Sequence, residues 1–305
     1  MNRPYTIIEV KPEWCLDQEQ MGSKRKFWYS EAVGKPRWLF KYAREINPGV
    51  LSGEHWAEKI AEQIADKLGI LHAKVELAVY QGSRGSTSES FISKDERTLV
   101  HGNEILRDVD VEYESSKHFK QTQHTLERIF KSFNEIFEDV RFAEQTKGRF
   151  AEYLVLDTLI SNVDRHHENW GILLKRGERR QMGYLAPSFD HASSLGRELT
   201  DVRRQQILKE PQMGLYVKKG HGAIFWEKAE RKAPSPLHLV QLAVAMYPAL
   251  FQNALKKLAA VTVLDCETAV DRIPEEWMSP YARLFAKELL RYNLEQLHNL
   301  RSSAS

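Results

Sequence analysis

One run of nine residues limits the possible folds of this chain most: Ser161-Asn162-Val163-Asp164-Arg165-His166-His167-Glu168-Asn169. An apolar helical run from Phe150 to Ile160 leads into it, and the β-like segment Trp170-Gly171-Ile172-Leu173-Leu174 leads out. Asp164 and Asn169 stand five residues apart with neither proline nor glycine between them. A loop of this kind can aim a base and a metal ligand at one point, the requirement of phosphoryl transfer with bound Mg²⁺. The plainer alternative is a polar turn that happens to be charged, since short motifs recur by chance.

The chain has 305 residues, enough for a large core and most naturally for two lobes. Hydrophobic residues make up 42% and charged residues 28%, as in ordinary globular proteins. The net charge of +2 gives no general argument for nucleic acid or a membrane surface as partner. Cys15 and Cys266 lie far apart, so neither a disulfide framework nor a zinc knuckle is indicated. No apolar signal region opens the chain and no window approaches a membrane span. A cytoplasmic location is therefore expected, with secretion that needs no cleaved signal left open.

The first half is rich in strand patterns. Tyr5 to Val10, Phe27 to Tyr29 and Trp38 to Tyr42 carry the β-branched and aromatic residues that strands favour. Gly22, Ser23 and Lys24 form a basic turn that could offer backbone N–H groups and cations to phosphates, although an ordinary hairpin would look the same. Lys41 interrupts an aromatic strand, where a lysine is out of place unless its ammonium has a partner or reaches water. Trp56, Ile60, Ile64 and Leu68 mark a helix from about Gly53, stopped by Gly69. Glu58 lies on that helix, and a strand lysine followed by a helix glutamate is the arrangement by which kinases hold phosphates. Val75 to Tyr80 reads as a strand, Gly82 to Ser86 as a turn, and Glu89 to Ser93 as the returning strand.

Near residue 95 the composition changes from β-rich to α-rich, which places lobes at 1–94 and 95–305. Leu126 to Phe137 is an amphipathic helix, and Phe150 to Ile160 a second, with Asp157 positioned to brace the loop that follows. A hairpin around residues 175–181 then delivers Asp190, 26 residues after Asp164. Two aspartates and an asparagine converging at strand and loop ends supply the hard oxygens that suit Mg²⁺. A helix cap or turn is the alternative for Asp190. Residues 191–226 look like a long, locally basic loop with short helical pieces, as suited to a substrate surface as to mere solvation. Residues 235–260 and 280–300 read as two further amphipathic helices.

Asn162 to Asn169, followed by Leu185-Ala186-Pro187-Ser188-Phe189-Asp190, resembles the catalytic signature of HipA-like serine/threonine kinases, in a compact form limited to the kinase core. Gly22-Ser23-Lys24, Lys41, Glu58 and the stretch Glu89-Ser90-Phe91 agree with it. The resemblance implies an α+β fold of protein-kinase type, with a β-rich N-lobe and a mainly helical C-lobe. It implies Asp164 as the base, Asn169 and Asp190 as Mg²⁺ ligands, and an ATP site drawn from Gly22, Ser23, Lys24, Lys41, Glu58, Glu89, Phe91 and His166. It further implies a protein substrate, such as a translation factor or a host protein, and a possible antitoxin as partner. Many relatives carry an autophosphorylated serine before the glycine loop; here Asp17-Gln18-Glu19-Gln20 offers no hydroxyl.

Asp164-Arg165-His166 with Asn169 is also similar to the catalytic loop of phosphatidylinositol kinases, which makes a lipid or small-molecule kinase the alternative. Such enzymes usually place Phe-Gly after the metal aspartate, whereas Phe189 precedes Asp190 here and His191 follows. A catalytically dead binding module would lack one of Lys41, Asp164, Asn169 or Asp190, and all four are present.

Overall fold

The computed structural model describes residues 3–19, 25–92, 97–117, 120–175, 183–210 and 212–303. Its smaller lobe is built on a mixed sheet of β1 (Ile7–Val10), β2 (Cys15–Glu19), β3 (Lys26–Tyr29), β4 (Trp38–Tyr42), β7 (Val75–Tyr80) and β8 (Ser83–Glu89), with β5 (Glu45–Asn47) and β6 (Val50–Leu51) as a separate hairpin. The order across the sheet is β1-β7-β8-β4-β3-β2, and β1 runs parallel to β7 with Ile7 opposite Leu77. Side chains alternate between the faces of a strand. On β4 this sends Phe40 and Tyr42 into an aromatic cluster with Phe27 and Tyr80, and Lys41 to the opposite face. Gly85 pairs with Tyr42, where a Cβ would stand 2.2 Å from the Lys41 carbonyl oxygen, so only glycine permits that approach.

Gly82 to Ser86, expected to be a turn, is mostly strand: all but its first residue belong to β8, while Ser90 to Ile92, expected in the returning strand, lie beyond it. Small and hydroxyl residues gave no apolar alternation to read, yet their backbones pair on both sides, with β4 and β7.

Helix α1 (Glu54–Lys67) follows the small hairpin and is buried on almost every side. Its apolar residues Trp56, Ala57, Ile60, Ala61 and Ile64 join one continuous core with the helical lobe, whereas the sheet's outer face has a small core of Val10, Phe27, Tyr29, Phe40 and Ala78. The larger lobe contains β9 (Arg97–His101), α2 (Gly102–Val109), α3 (Leu126–Ile136), α4 (Val140–Ile160), β10 (Gly171–Lys175) and β11 (Tyr184–Leu185). Then come α5 (Asp201–Lys209), α6 (Met213–Lys219), α7 (Pro236–Met246), α8 (Pro248–Lys256), α9 (Val263–Asp271) and α10 (Pro280–Ser303). The β10–β11 hairpin forms as expected, and β9 pairs with its other edge.

Two helix expectations need adjustment. The run 235–260 divides into α7 and α8 at Tyr247, because Pro248 cannot donate an N–H to continue the first helix. Helix α4 begins at Val140, ten residues before the expected start, with the Asp139 side chain capping the Arg141 N–H. The α+β, two-lobe architecture stands. Among the described residues no helix is long and apolar enough to cross a membrane.

Because α1 shares its core with the helical lobe, truncating it should loosen both lobes together. Ile60→Ala is expected to cost about 2–5 kcal/mol. Urea unfolding monitored by near- and far-UV circular dichroism should shift as a single transition; two separated transitions would contradict the shared core.

Candidate active site

Helix α4 ends at Ser161, which adopts a left-handed conformation with φ 53°. The Asn293 amide on α10 donates to Ser161 Oγ at 2.8 Å and to Leu159 O at 3.0 Å, which stabilises the turn from the other side. Asp157, one turn inside α4, receives the Arg165 guanidinium through Nε and Nη2 at 2.8 and 2.7 Å. Arg165 Nη1 reaches Asn169 O at 2.8 Å and Phe189 O at 3.3 Å, and Nη2 also reaches Ser188 Oγ at 2.9 Å. Burial alone would make Arg165 easier to deprotonate, but Asp157 reverses this and holds it more firmly protonated than usual. The loop and the Asp190 segment are thus fastened to the same cation.

Asp164 sits within this frame. Its N–H donates to Asn162 Oδ1 at 3.2 Å, and Asn162 Nδ2 donates to Asp157 at 2.8 Å. Ser193 Oγ donates to Asp164 Oδ2 at 3.1 Å, aiming the carboxylate from the side of the following segment. Asn169 Nδ2 donates to Asp164 O at 2.7 Å, which fixes the carboxamide with Oδ1 as its acceptor end. His166 shapes the loop: its N–H donates to Asp164 O at 2.8 Å and its Nδ1 accepts from Glu168 N–H at 3.2 Å.

Lys41 spans the lobes. Its Nζ lies 3.3 Å from Glu58 Oε1 and 3.2 Å from Asp190 Oδ1. Ser86 Oγ donates to the other oxygen of Glu58 at 3.0 Å. Burial would pull the lysine down, but the Asp190 and Glu58 carboxylates more than offset it and hold the ammonium charged well above its ordinary range. Asp190 has φ 56°, a left-handed conformation that costs a non-glycine residue energy and often marks a functional turn. The segment beyond it continues to α1, where Arg197 O accepts from Gly53 N–H at 2.8 Å and the Arg197 guanidinium pairs with Glu54.

The structure therefore brings Lys41, Glu58 and Asp190 into one cluster, and Asp164, Asn169 and Asp190 onto segments tied by Arg165. Phe91 joins them through its ring, 5.6 Å from that of Phe189. Glu89 turns away: its N–H donates to Lys74 O at 2.9 Å and its carboxylate lies 3.8 Å from Lys74 Nζ. Gly22, Ser23 and Lys24 lie outside the described residues. The roles of Ser86 and Ser193 are not legible in the sequence, because an isolated serine carries no periodic signal, and Arg197 is legible only as part of the basic loop 191–226. Among the described residues no group of three His, Cys, Asp or Glu side chains could hold a metal. Asn169 and Asp190 instead offer two hard oxygens, which fits Mg²⁺ shared with a phosphate ligand better than a metal caged by protein alone.

The sequence pattern of the HipA-like C-terminal domain matches residues 19–262. The chain belongs to that family. A serine/threonine-protein kinase, CtkA of Helicobacter pylori strain J99, is 24% identical to this HipA-like chain over 213 residues, 67% of this chain and 59% of that relative. The crystal structure of a Helicobacter pylori proinflammatory kinase, CtkA, superposes with a TM-score of 0.79 at 17% identity and covers 98% of both chains. The HipA of Shewanella oneidensis, solved with HipB and operator DNA, superposes with a TM-score of 0.61 at 13% identity over 96% of this chain and 68% of that one. The two structural likenesses support the two-lobe fold of the HipA-like chain, which spans 59% of the length of the CtkA relative.

Three buried imidazoles make the fold of this HipA-like chain acid-sensitive. Burial pushes His124 down to about 3, His55 down to about 4, and His191 well below its ordinary range. The unfolded chain takes up these protons below about pH 6.5, while the native chain does not. Stability should therefore be full above that pH and fall as pH drops toward 4, by up to about 1.4 kcal/mol per pH unit for each imidazole. Melting temperatures measured from pH 7 downward check this; replacing His124 with Gln should flatten the slope.

Proposed function

We propose that this chain is a Mg²⁺- and ATP-dependent protein serine/threonine kinase. The observation that carries the reading is Lys41, held charged between Glu58 of the smaller lobe and Asp190 of the larger. An ammonium so placed can bind phosphate oxygens while Glu58 fixes its position and Ser86 fixes Glu58. We assign the phosphate loop to Gly22, Ser23 and Lys24, and divide the lobes at residues 94 and 95.

Asp164 serves as the base. Its carboxylate, steered by Ser193, accepts the proton of the acceptor hydroxyl as that oxygen bonds to the γ-phosphorus of ATP and the bond to the β-phosphate oxygen breaks, releasing ADP. Asn169 and Asp190 would hold Mg²⁺, which supplies charge neutralisation on the phosphates when bound. Arg165 never meets substrate in this scheme; it keeps the Asp164 and Asp190 segments in register. Phe91, against Phe189, lines the nucleotide side near the connection between lobes, and His166 acts by shaping the loop. A protein substrate follows from this reading, whereas an inhibitory protein partner is suggested only by the likeness to the Shewanella HipA.

Incubation with Mg²⁺ and ATP, together with bacterial lysate or phosphoinositide vesicles, followed by phosphosite mass spectrometry should show label on serine or threonine. Label on lipid alone would favour the lipid-kinase alternative. Asp164→Ala is expected to lower transfer by about 10²–10⁴-fold, and chelation of Mg²⁺ should abolish it. Lys41→Ala should weaken transfer with the fold intact by circular dichroism. Undiminished transfer from Asp164→Ala would remove that residue as the base.

A further inference from the structure

The outer side of the Asp164 loop is bordered by two segments that the proposed chemistry leaves unused. Gly222 N–H donates to Pro234 O at 2.9 Å and His221 Nδ1 lies 3.0 Å from Ala233 O, so residues 220–222 run beside 232–234. A Cβ on Gly220 would lie 3.5 Å from Val163 Cγ1, next to Asp164. Asn162 and Arg165 share a small cavity with Gly222, Ala223, Ile224 and Pro234. These contacts bring Lys218, Lys219, Arg231 and Lys232, all exposed, to the flank of the catalytic loop.

Among the described residues none of these four cations has an acidic partner. The nearby Glu230 is turned onto its own backbone, accepting from Trp226 N–H at 2.9 Å and Glu227 N–H at 3.3 Å. Exposed Glu227 is the other acid on this segment. Lys218 and Lys219 occupy the last turn of α6, where the helix dipole by itself favours cations. Arg231 and Lys232 lie in no helix, and that account does not extend to them.

We infer that this basic ridge binds acidic residues flanking the acceptor serine or threonine of a protein substrate. The inference rests on the kinase reading, because the ridge matters only if Asp164 receives a hydroxyl beside it. A peptide is favoured over a nucleic acid because the acceptor in the proposed function is a serine or threonine hydroxyl. The chain's overall charge of +2 also gives no general attraction for polyanions.

The test uses the full chain with synthetic serine and threonine peptides whose flanks are acidic, neutral or basic. Wild type should phosphorylate acidic-flanked peptides about ten-fold more efficiently in kcat/KM than neutral ones, mainly through KM, with the preference shrinking as salt rises. The pairs Lys218→Glu with Lys219→Glu, and Arg231→Glu with Lys232→Glu, should each erase or invert the preference; melting temperature and ATP-analogue affinity report whether the fold is intact. Transfer indifferent to flanking charge, or a preference untouched in both folded variants, overturns the inference and leaves the kinase reading standing. Binding of total RNA that the charge reversals abolish, without any peptide preference, assigns the ridge to nucleic acid and likewise overturns it. Absence of transfer by wild type to any peptide or to itself overturns the kinase reading and this inference with it.

Discussion

The buried pair of Asp157 and Arg165 is the interaction on which the candidate site depends. Removing two charges from water costs several kcal/mol each, and their attraction offsets this only when the remaining donors are also satisfied. Here they are. Arg165 has five N–H donors, and the structure supplies an acceptor for each: two carboxylate oxygens of Asp157, the carbonyls of Asn169 and Phe189, and the hydroxyl of Ser188. Those acceptors come from the end of α4, the far end of the polar loop and the residues just before Asp190. A lysine could not replace this planar fork, since its three donors radiate from a single point. The pair thus does little for net stability compared with an apolar core, but it fixes three segments relative to one another.

A second constraint follows from how α1 is packed. A helix carrying Glu58 on a small, separately cored lobe would be free to move with that lobe. Instead Ile60, Ala61 and Ile64 lie in the same core as α4 and α10, and Arg272 extends from the end of α9 to Gln63 of α1 at 3.1 Å. Arg197 adds a further tie at the first turn of α1. Leu77 of the sheet lies in that core too, so α1 joins the sheet that carries Lys41 to the larger lobe that carries Asp190.

This arrangement explains what was legible in the sequence. Lys41 stood out because strand alternation makes a lysine among aromatics conspicuous, and Asp157 because a carboxylate in an apolar helix needs a partner. Both signals are local. The long polar loop announced itself by composition, and the helix of Glu58 by its period. By contrast, β8 is made of serine, threonine and glycine, whose place in the sheet is fixed by neighbours on both sides. Ser86 and Ser193 act through single hydroxyl contacts with residues 28 and 29 positions away, and no pattern in one sequence encodes such a pairing. The split at Pro248 was available from proline chemistry, but the apolar spacing ran across it.

The hydroxyl of Ser188 shows how the loop chemistry extends to protonation. It accepts from Arg165 Nη2 and lies 2.7 Å from His191 Nε2. The hydroxyl has one proton and a second lone pair, so it can donate to His191 Nε2 or accept from it according to the ring's tautomer. Burial already disfavours the imidazolium, and the nearby Arg165 charge disfavours it further. Neutral His191 is thus part of the same hydrogen-bonded series that begins at Asp157. Directly after Ser188 and Phe189 in the chain, Asp190 adopts the left-handed turn with φ 56°. The segment that presents Asp190 is consequently held by the bonds of Arg165 to Ser188 Oγ and Phe189 O, and through Arg165 by Asp157.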